Sequence, residues 1–177
     1  VPLTVSNEIR RVALVTGANR GLGEAIARGL VARGMEVVIG SRLLAAGEAT
    51  AAALGKRAWA VSLDVTSAAS VAAAIDLIGQ RTGRLDVLVN NAAAHPDFGV
   101  APSTVGDADL QTALDTNLIG PWRMCRAVIE PMRQQHYGRI VNAKHHTRLT
   151  ALLDRGGYEE VALGGEADVA ARYLAPP

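Results

Sequence analysis

The 177-residue sequence predicts an α/β fold, a doubly wound parallel sheet with helices on both faces. Three observations predict it. Short apolar runs alternate with longer segments of helical periodicity. The runs are unbroken stretches of Val, Ile, Leu and Ala, as expected of strands buried on both faces. The first run also passes through a glycine-rich turn directly into a helical segment, which is how a parallel strand-helix-strand unit begins.

The elements follow in order. Val12–Thr16 is the first strand. Gly21–Arg33 is a helix with Leu22, Ala25, Ile26, Gly29 and Leu30 at helical spacing, ended by Gly34. Glu36–Gly40 is a short buried strand, and the alanine-rich Leu44–Leu54 a helix closed by Gly55. Ala58–Leu63 is a third strand running into Asp64-Val65-Thr66. Ser67–Arg81 is a helix with Ser67 as its N-cap. Asp86–Asn90 and Gly138–Asn142 are the fourth and fifth strands, with a loop and a long helix from about Asp107 to Gln135 between them. Residues 143–165 show no clean period, and a short helix is expected at Glu166–Leu174. No repeat, linker or low-complexity tract precedes residue 143, so residues 1–177 read as a single domain whose last part, 143–177, diverges.

Composition narrows the function. Hydrophobic residues make up 49% of the chain but aromatics only 3%, so the core must be built from Ala, Val, Leu and Ile. The net charge is +1 with scattered basic residues, which argues against a nucleic-acid partner, as does the scarcity of stacking side chains. No apolar run approaches the ~20 residues of a membrane span, and no signal-peptide pattern opens the sequence. The single cysteine, Cys125, excludes an internal disulfide and a cysteine-rich metal site, and is expected to be a small core residue. A cytoplasmic protein without a metal or membrane partner is the expectation.

The turn Thr16-Gly17-Ala18-Asn19-Arg20-Gly21-Leu22-Gly23 carries the most functional information. A strand, a glycine turn and a helix N-terminus together aim backbone N–H groups at a pyrophosphate. This makes the fold a Rossmann-type dinucleotide-binding one, with Gly17, Asn19, Arg20, Gly21, Leu22 and Gly23 as cofactor-binding candidates. Gly17 and Gly21 are expected to hold backbone angles closed to other residues, and Gly23 to allow a close approach. Asp64, at a strand's carboxyl end, lies where such folds bind ligands; its alternative role is a helix cap. Asn91 is expected to hydrogen-bond a neighbouring strand and stiffen the floor of the site. Where NAD enzymes place an acid for the ribose hydroxyl, Ser41 and Arg42 stand instead, and Arg20 lies within reach of the same place. Two guanidiniums suit a 2′-phosphate, so NADP(H) is expected over NAD(H).

Over roughly residues 10–142 the chain resembles the short-chain dehydrogenase/reductase family. Thr16–Gly23 resembles its cofactor turn, and Asp64-Val65 the pair that contacts adenine. Asn90-Asn91-Ala92-Ala93 resembles its Asn-Asn-Ala-Gly motif, with Ala93 in place of glycine. Asn117-Leu118-Ile119-Gly120 resembles the segment bearing its catalytic asparagine, and Gly138–Asn142 the strand leading to its catalytic serine. The resemblance implies a sheet ordered 3-2-1-4-5-6-7, an NAD(P) cofactor contacted also by Val65, Ala92 and Ala93, and often a homo-oligomer. It implies hydride transfer between nicotinamide and a carbonyl or alcohol substrate, with Asn117 holding a water in the proton relay. A kink in the helix is the purely structural alternative for Asn117.

The family's Tyr-x-x-x-Lys pair has no match in this sequence. The serine position falls in Ala143-Lys144-His145-His146. Tyr158 is the candidate tyrosine, but Ala162 stands where the lysine would be. In the alternative alignment Val161 and Gly165 fill the two positions. A tyrosine without a neighbouring ammonium, at a pKa of ~10, is a poor proton donor at neutral pH. His145 and His146 are adjacent, so on an extended segment they point opposite ways and chelate metal poorly. Residues 165–175 resemble the last helix of some monomeric carbonyl-reductase-like members. The expectation is therefore a fold incomplete at its C-terminal part relative to the family. The function expected is an NADP-dependent carbonyl reductase or alcohol dehydrogenase with impaired chemistry, or an NADP-binding module without catalysis.

Overall fold

Five parallel strands, Val12–Thr16 (β1), Glu36–Ser41 (β2), Ala58–Ser62 (β3), Val87–Asn90 (β4) and Arg139–Asn142 (β5), form one sheet in the order β3-β2-β1-β4-β5. The structure is a computed structural model and describes residues 10–96 and 101–143. Gly21–Ala32 (α1), Leu44–Leu54 (α2) and Ala68–Thr82 (α3) connect the first four strands. Asp107–Leu114 (α4), a π turn over Asp115–Ile119 and Gly120–Gln134 (α5) lie between β4 and β5.

The double winding is written into β1, where every residue is buried. Val12 and Leu14 join a core with Val71, Ala74 and Ile78 of α3 and Met124, Val128 and Met132 of α5. Ala13 and Val15 point to the other face and join Ile26, Ala27 and Leu30 of α1 and Ala51 of α2. A strand apolar through Val12–Val15 is what a sheet covered on both sides requires. Register is continuous from Val12↔Glu36 to Thr16↔Gly40, so β1 and β2 end level at their carboxyl ends.

The observed order agrees with the first five positions of the order that the resemblance implies; its sixth and seventh strands lie outside the described residues. Between β1 and β4 the order changes direction, and folds of this kind open a crevice there, beyond the carboxyl ends. Element bounds differ from the sequence-based ones by a residue or so, as at β3, which stops at Ser62. The substantive difference is the long helix expected from Asp107 to Gln135. It is broken by the π turn, in which the Gly120 N–H donates to Asp115 O. Pro121 explains the break. Having no N–H, it cannot give the Asn117 carbonyl its ordinary i+4 hydrogen bond.

At the opposite edge of the sheet, Asp86 is fully buried. Its carboxylate accepts the Val12 N–H at 2.8 Å and two guanidinium bonds from Arg84, at 2.8 and 2.5 Å. This ion pair locks the starts of β1 and β4 together, and hydrogen bonding to Asp86 raises the Arg84 pKa.

Candidate functional site

Local backbone chemistry shapes a cleft of about 560 Å³ at the carboxyl ends of the strands. The turn after β1 holds Gly17 at φ +64° and Gly21 at φ +58°, angles that favour glycine. A side chain at Gly17 would come within 2.9 Å of the Ala92 Cα, so turn and β4 loop are in close approach there. Gly23 is tighter. A Cβ on it would meet the Asn91 carboxamide, and would lie 2.7 Å from Gly17 O and 2.9 Å from Ala18 Cα. Arg20, at the N-cap of α1, provides no side-chain cap, which leaves the helix's first N–H groups directed at the cleft without that partner.

Asn91 and Thr16 stitch the floor. The Asn91 Nδ2 donates to Thr16 O at 2.9 Å and to Gly17 O at 3.3 Å. The Thr16 hydroxyl accepts the N–H groups of Asn91 (3.0 Å) and Ala92 (2.9 Å) and donates to Val89 O. Asn91 thus bonds the neighbouring strand as its sequence position predicts. Thr16 escaped the sequence reading as a site residue, although a polar residue closing a fully apolar strand was the available signal. Next door, Asn90 Nδ2 donates to Asn142 Oδ1 at 3.0 Å and contacts Cys125 Sγ at 3.7 Å. Cys125 is half-buried beside this polar group, where a small core residue was expected.

On the β2–β3 side, Ser41, Arg42, Asp64 and Val65 border the same cleft. Ser41 is buried and its hydroxyl donates to Leu43 O at 2.9 Å, so its side chain is spent on the backbone; Arg42 is exposed. Asp64 Oδ1 accepts the Thr66 N–H (2.9 Å) and hydroxyl (2.7 Å), closing a turn. Ser67, not Asp64, caps α3, accepting from the Ser70 N–H at 3.2 Å. Burial pushes the Asp64 carboxyl up. The two Thr66 bonds, with the Arg42 and Arg123 guanidiniums, outweigh it and hold the acid below the usual carboxylate range.

All thirteen cofactor-binding candidates therefore border one cleft: Gly17, Asn19, Arg20, Gly21, Leu22, Gly23, Ser41, Arg42, Asp64, Val65, Asn91, Ala92 and Ala93. The lining also takes in Leu43, Leu63, Thr66, Ala94 and Thr116, which the sequence reading did not single out. Asn117 lies within the π turn Asp115–Ile119. Its Oδ1 accepts the Ala94 N–H at 2.9 Å and its Nδ2 donates to Ala94 O at 2.7 Å. The carboxamide clamps the loop after β4. Tyr158, His145, His146 and the helix expected at Glu166–Leu174 lie outside the described residues. No group of three or more His, Cys, Asp or Glu among the described residues is arranged to hold a metal ion. Nor is any helix there long and apolar enough to cross a membrane.

Known proteins share this arrangement. The family profile of the short chain dehydrogenases matches residues 11–148. The short-chain reductase protein NovJ of Streptomyces niveus is 43% identical over 134 residues, which are 74% of this chain and 50% of NovJ. The 3-alpha-(or 20-beta)-hydroxysteroid dehydrogenase of Mycobacterium tuberculosis is 39% identical over 153 residues, 85% of this chain and 57% of that protein. The chain thus spans about half the length of the curated relatives it matches. A metagenomic short-chain oxidoreductase solved in complex with NADP superposes with a TM-score of 0.70 at 33% identity, covering 76% of this chain and 62% of that one. With the profile running from β1 through β5 and the cleft built from the matching turns, the chain belongs to the short-chain dehydrogenase family.

Proposed function

We propose that the cleft binds NADP(H) and that the protein is an oxidoreductase acting on a small-molecule carbonyl or alcohol. The observation carrying this reading is the cradle formed by Gly17 and Gly23, where a Cβ would collide with the β4 loop or the turn itself. Beside it lies a helix N-terminus without a side-chain cap, a combination suited to a pyrophosphate. Arg20 and Arg42, both exposed on the cleft, are the proposed 2′-phosphate partners, and no acid stands at the end of β2 to favour a free ribose hydroxyl. The complex of the metagenomic neighbour with NADP supports the cofactor class.

The chemistry supplied by such a group is hydride transfer between the nicotinamide ring and a carbonyl or alcohol carbon. Asn91 and Thr16 would keep the floor rigid beneath it, and Asn117 would fix the Ala94 loop along its edge. Tyr158 is the proposed proton partner. The test is NADPH consumption on a panel of aldehydes and ketones. Wild-type protein is expected to turn over, and Tyr158→Phe to lose turnover while keeping NADPH affinity. Undiminished turnover in that variant would move the proton donor to another residue. Nothing among the described residues favours a binding-only module over this reading.

Self-association and a cytoplasmic setting are proposed as well. Leu110, Leu114, Leu118, Trp122 and Ile129, between 36% and 55% exposed, leave an apolar row along α4, the π turn and α5, which supports self-association. Light scattering after gel filtration should then return a multiple of the chain mass. A cytoplasmic setting fits a chain with one cysteine in 177 residues.

A further inference from the structure

Arg123 lies on α5, outside the wall of the cleft, yet its Nη1 donates to the backbone carbonyl of Val65 at 2.6 Å. We propose that Arg123 is a positioning residue for the Asp64-Val65 corner and thereby sets affinity for the adenylate half of the dinucleotide. The inference rests on the cofactor reading above and extends it to a residue that does not itself line the cleft.

Three observations carry it. The corner's other hydrogen bonds are local: Asp64 N–H to Ser70 Oγ at 2.9 Å, Thr66 N–H to Asp64 Oδ1 at 2.9 Å, and Ser67 N–H to Asp64 O at 3.1 Å. These tie the segment to itself and to the start of α3, and Leu63 N–H to Ser41 O at 2.9 Å holds its beginning on β2; Arg123 adds the bond to α5. The fit is also built from the helix side. Gly120, one turn earlier on α5, receives the buried Val65 side chain so closely that a Cβ there would come within 2.8 Å of Val65 Cγ2. Helix and corner can meet at this separation only because residue 120 has no side chain. Finally, the same helical run grips the opposite wall, since Asn117 holds Ala94 through two hydrogen bonds. The π turn and the start of α5 thus contact both the wall bearing Val65 and the wall bearing Ala94.

A guanidinium suits this task. It stays charged at any working pH, presents planar donors, and makes a charge-assisted bond to a carbonyl. Its charge also helps to keep Asp64 ionised, together with Arg42. Lysine keeps the charge but loses the fork, so Arg123→Lys should restore only part of what Arg123→Met removes.

The test measures the wild-type protein and Arg123→Met, Arg123→Lys and Arg126→Met variants. Arg126 is exposed and stacks over Trp122 at 4.7 Å, and serves as the charge control. Calorimetric Kd values are taken for NADPH and for 2′,5′-ADP, which contains only the adenylate half. Amide hydrogen exchange at Asp64, Thr66 and Ser67 is followed without ligand. The expected result is about tenfold weaker binding of both nucleotides by Arg123→Met, about 1.4 kcal/mol, with faster exchange confined to the corner. Arg123→Lys should fall between, and Arg126→Met should match wild type. Unchanged exchange at the corner overturns the proposal, as does a loss for NADPH that exceeds the loss for 2′,5′-ADP. If wild-type protein takes up neither nucleotide, the cofactor reading fails, and the exchange data alone decide the clamp. If Arg123→Met does not fold, Arg123→Lys decides it by the same two measurements.

Discussion

Charge decides most at the level of single residues. Arg20 and Arg42 stand exposed on a cleft that also presents Asn19, Asp64, Thr66, Asn91 and Thr116. Replacing both with alanine should weaken NADPH by about tenfold or more while leaving NADH nearly unchanged, because only the phosphorylated cofactor loses charge-assisted bonds. Equal losses for the two cofactors would assign the arginines a general role instead. Asp64 gives a pH prediction. Its carboxyl is held below the ordinary range in the folded state, by Thr66 and two guanidiniums against the opposing effect of burial. A depressed acid contributes stability that is fully present above the unfolded value of about 4 and is lost as pH falls through the folded value. Melting temperatures of wild-type and Asp64→Asn protein should therefore differ most above about pH 4 and converge below it. A difference that widens on acidification would show the sign to be wrong.

At the level of elements, the turn between β1 and α1 is the most demanding piece of backbone. Gly23→Ala puts a methyl group against the Asn91 carboxamide and the turn's own backbone, neither of which is a flexible chain end. Overpacking of this kind costs about 1–3 kcal/mol. Thermal denaturation should show that loss, and NADPH affinity should fall by about tenfold or more because the displaced Asn91 ties the floor together. An alanine variant as stable and as tight-binding as wild type would mean that the close approach is not needed. The turn was legible in the sequence because glycines at these positions have a backbone reason. The strands were legible because burial on both faces demands uninterrupted apolar runs. The π turn was legible only as the helix kink offered as the alternative role of Asn117, because the helical apolar pattern runs across Asp115–Ile119 without a gap; Pro121 was a further local signal of the break. Arg123 was invisible for a different reason. Its partner is a backbone carbonyl 58 positions away, which no side-chain pattern marks.

For the whole molecule, two layers of helices on a five-stranded sheet leave one crevice where the strand order reverses, and the glycine turn, the Asp64 corner and the Asn91 floor all converge on it. That the candidate residues would line one cleft was readable because residues at strand ends share one edge in a parallel sheet. The proton-transfer chemistry was not, since Tyr158 falls outside both the matched motifs and the described residues. The central claim is that this crevice is a site for a phosphorylated dinucleotide. Isothermal titration with NADPH and NADH tests it most directly. NADPH should bind saturably near one site per chain, about tenfold or more tighter than NADH. No saturable heat from either cofactor would contradict it.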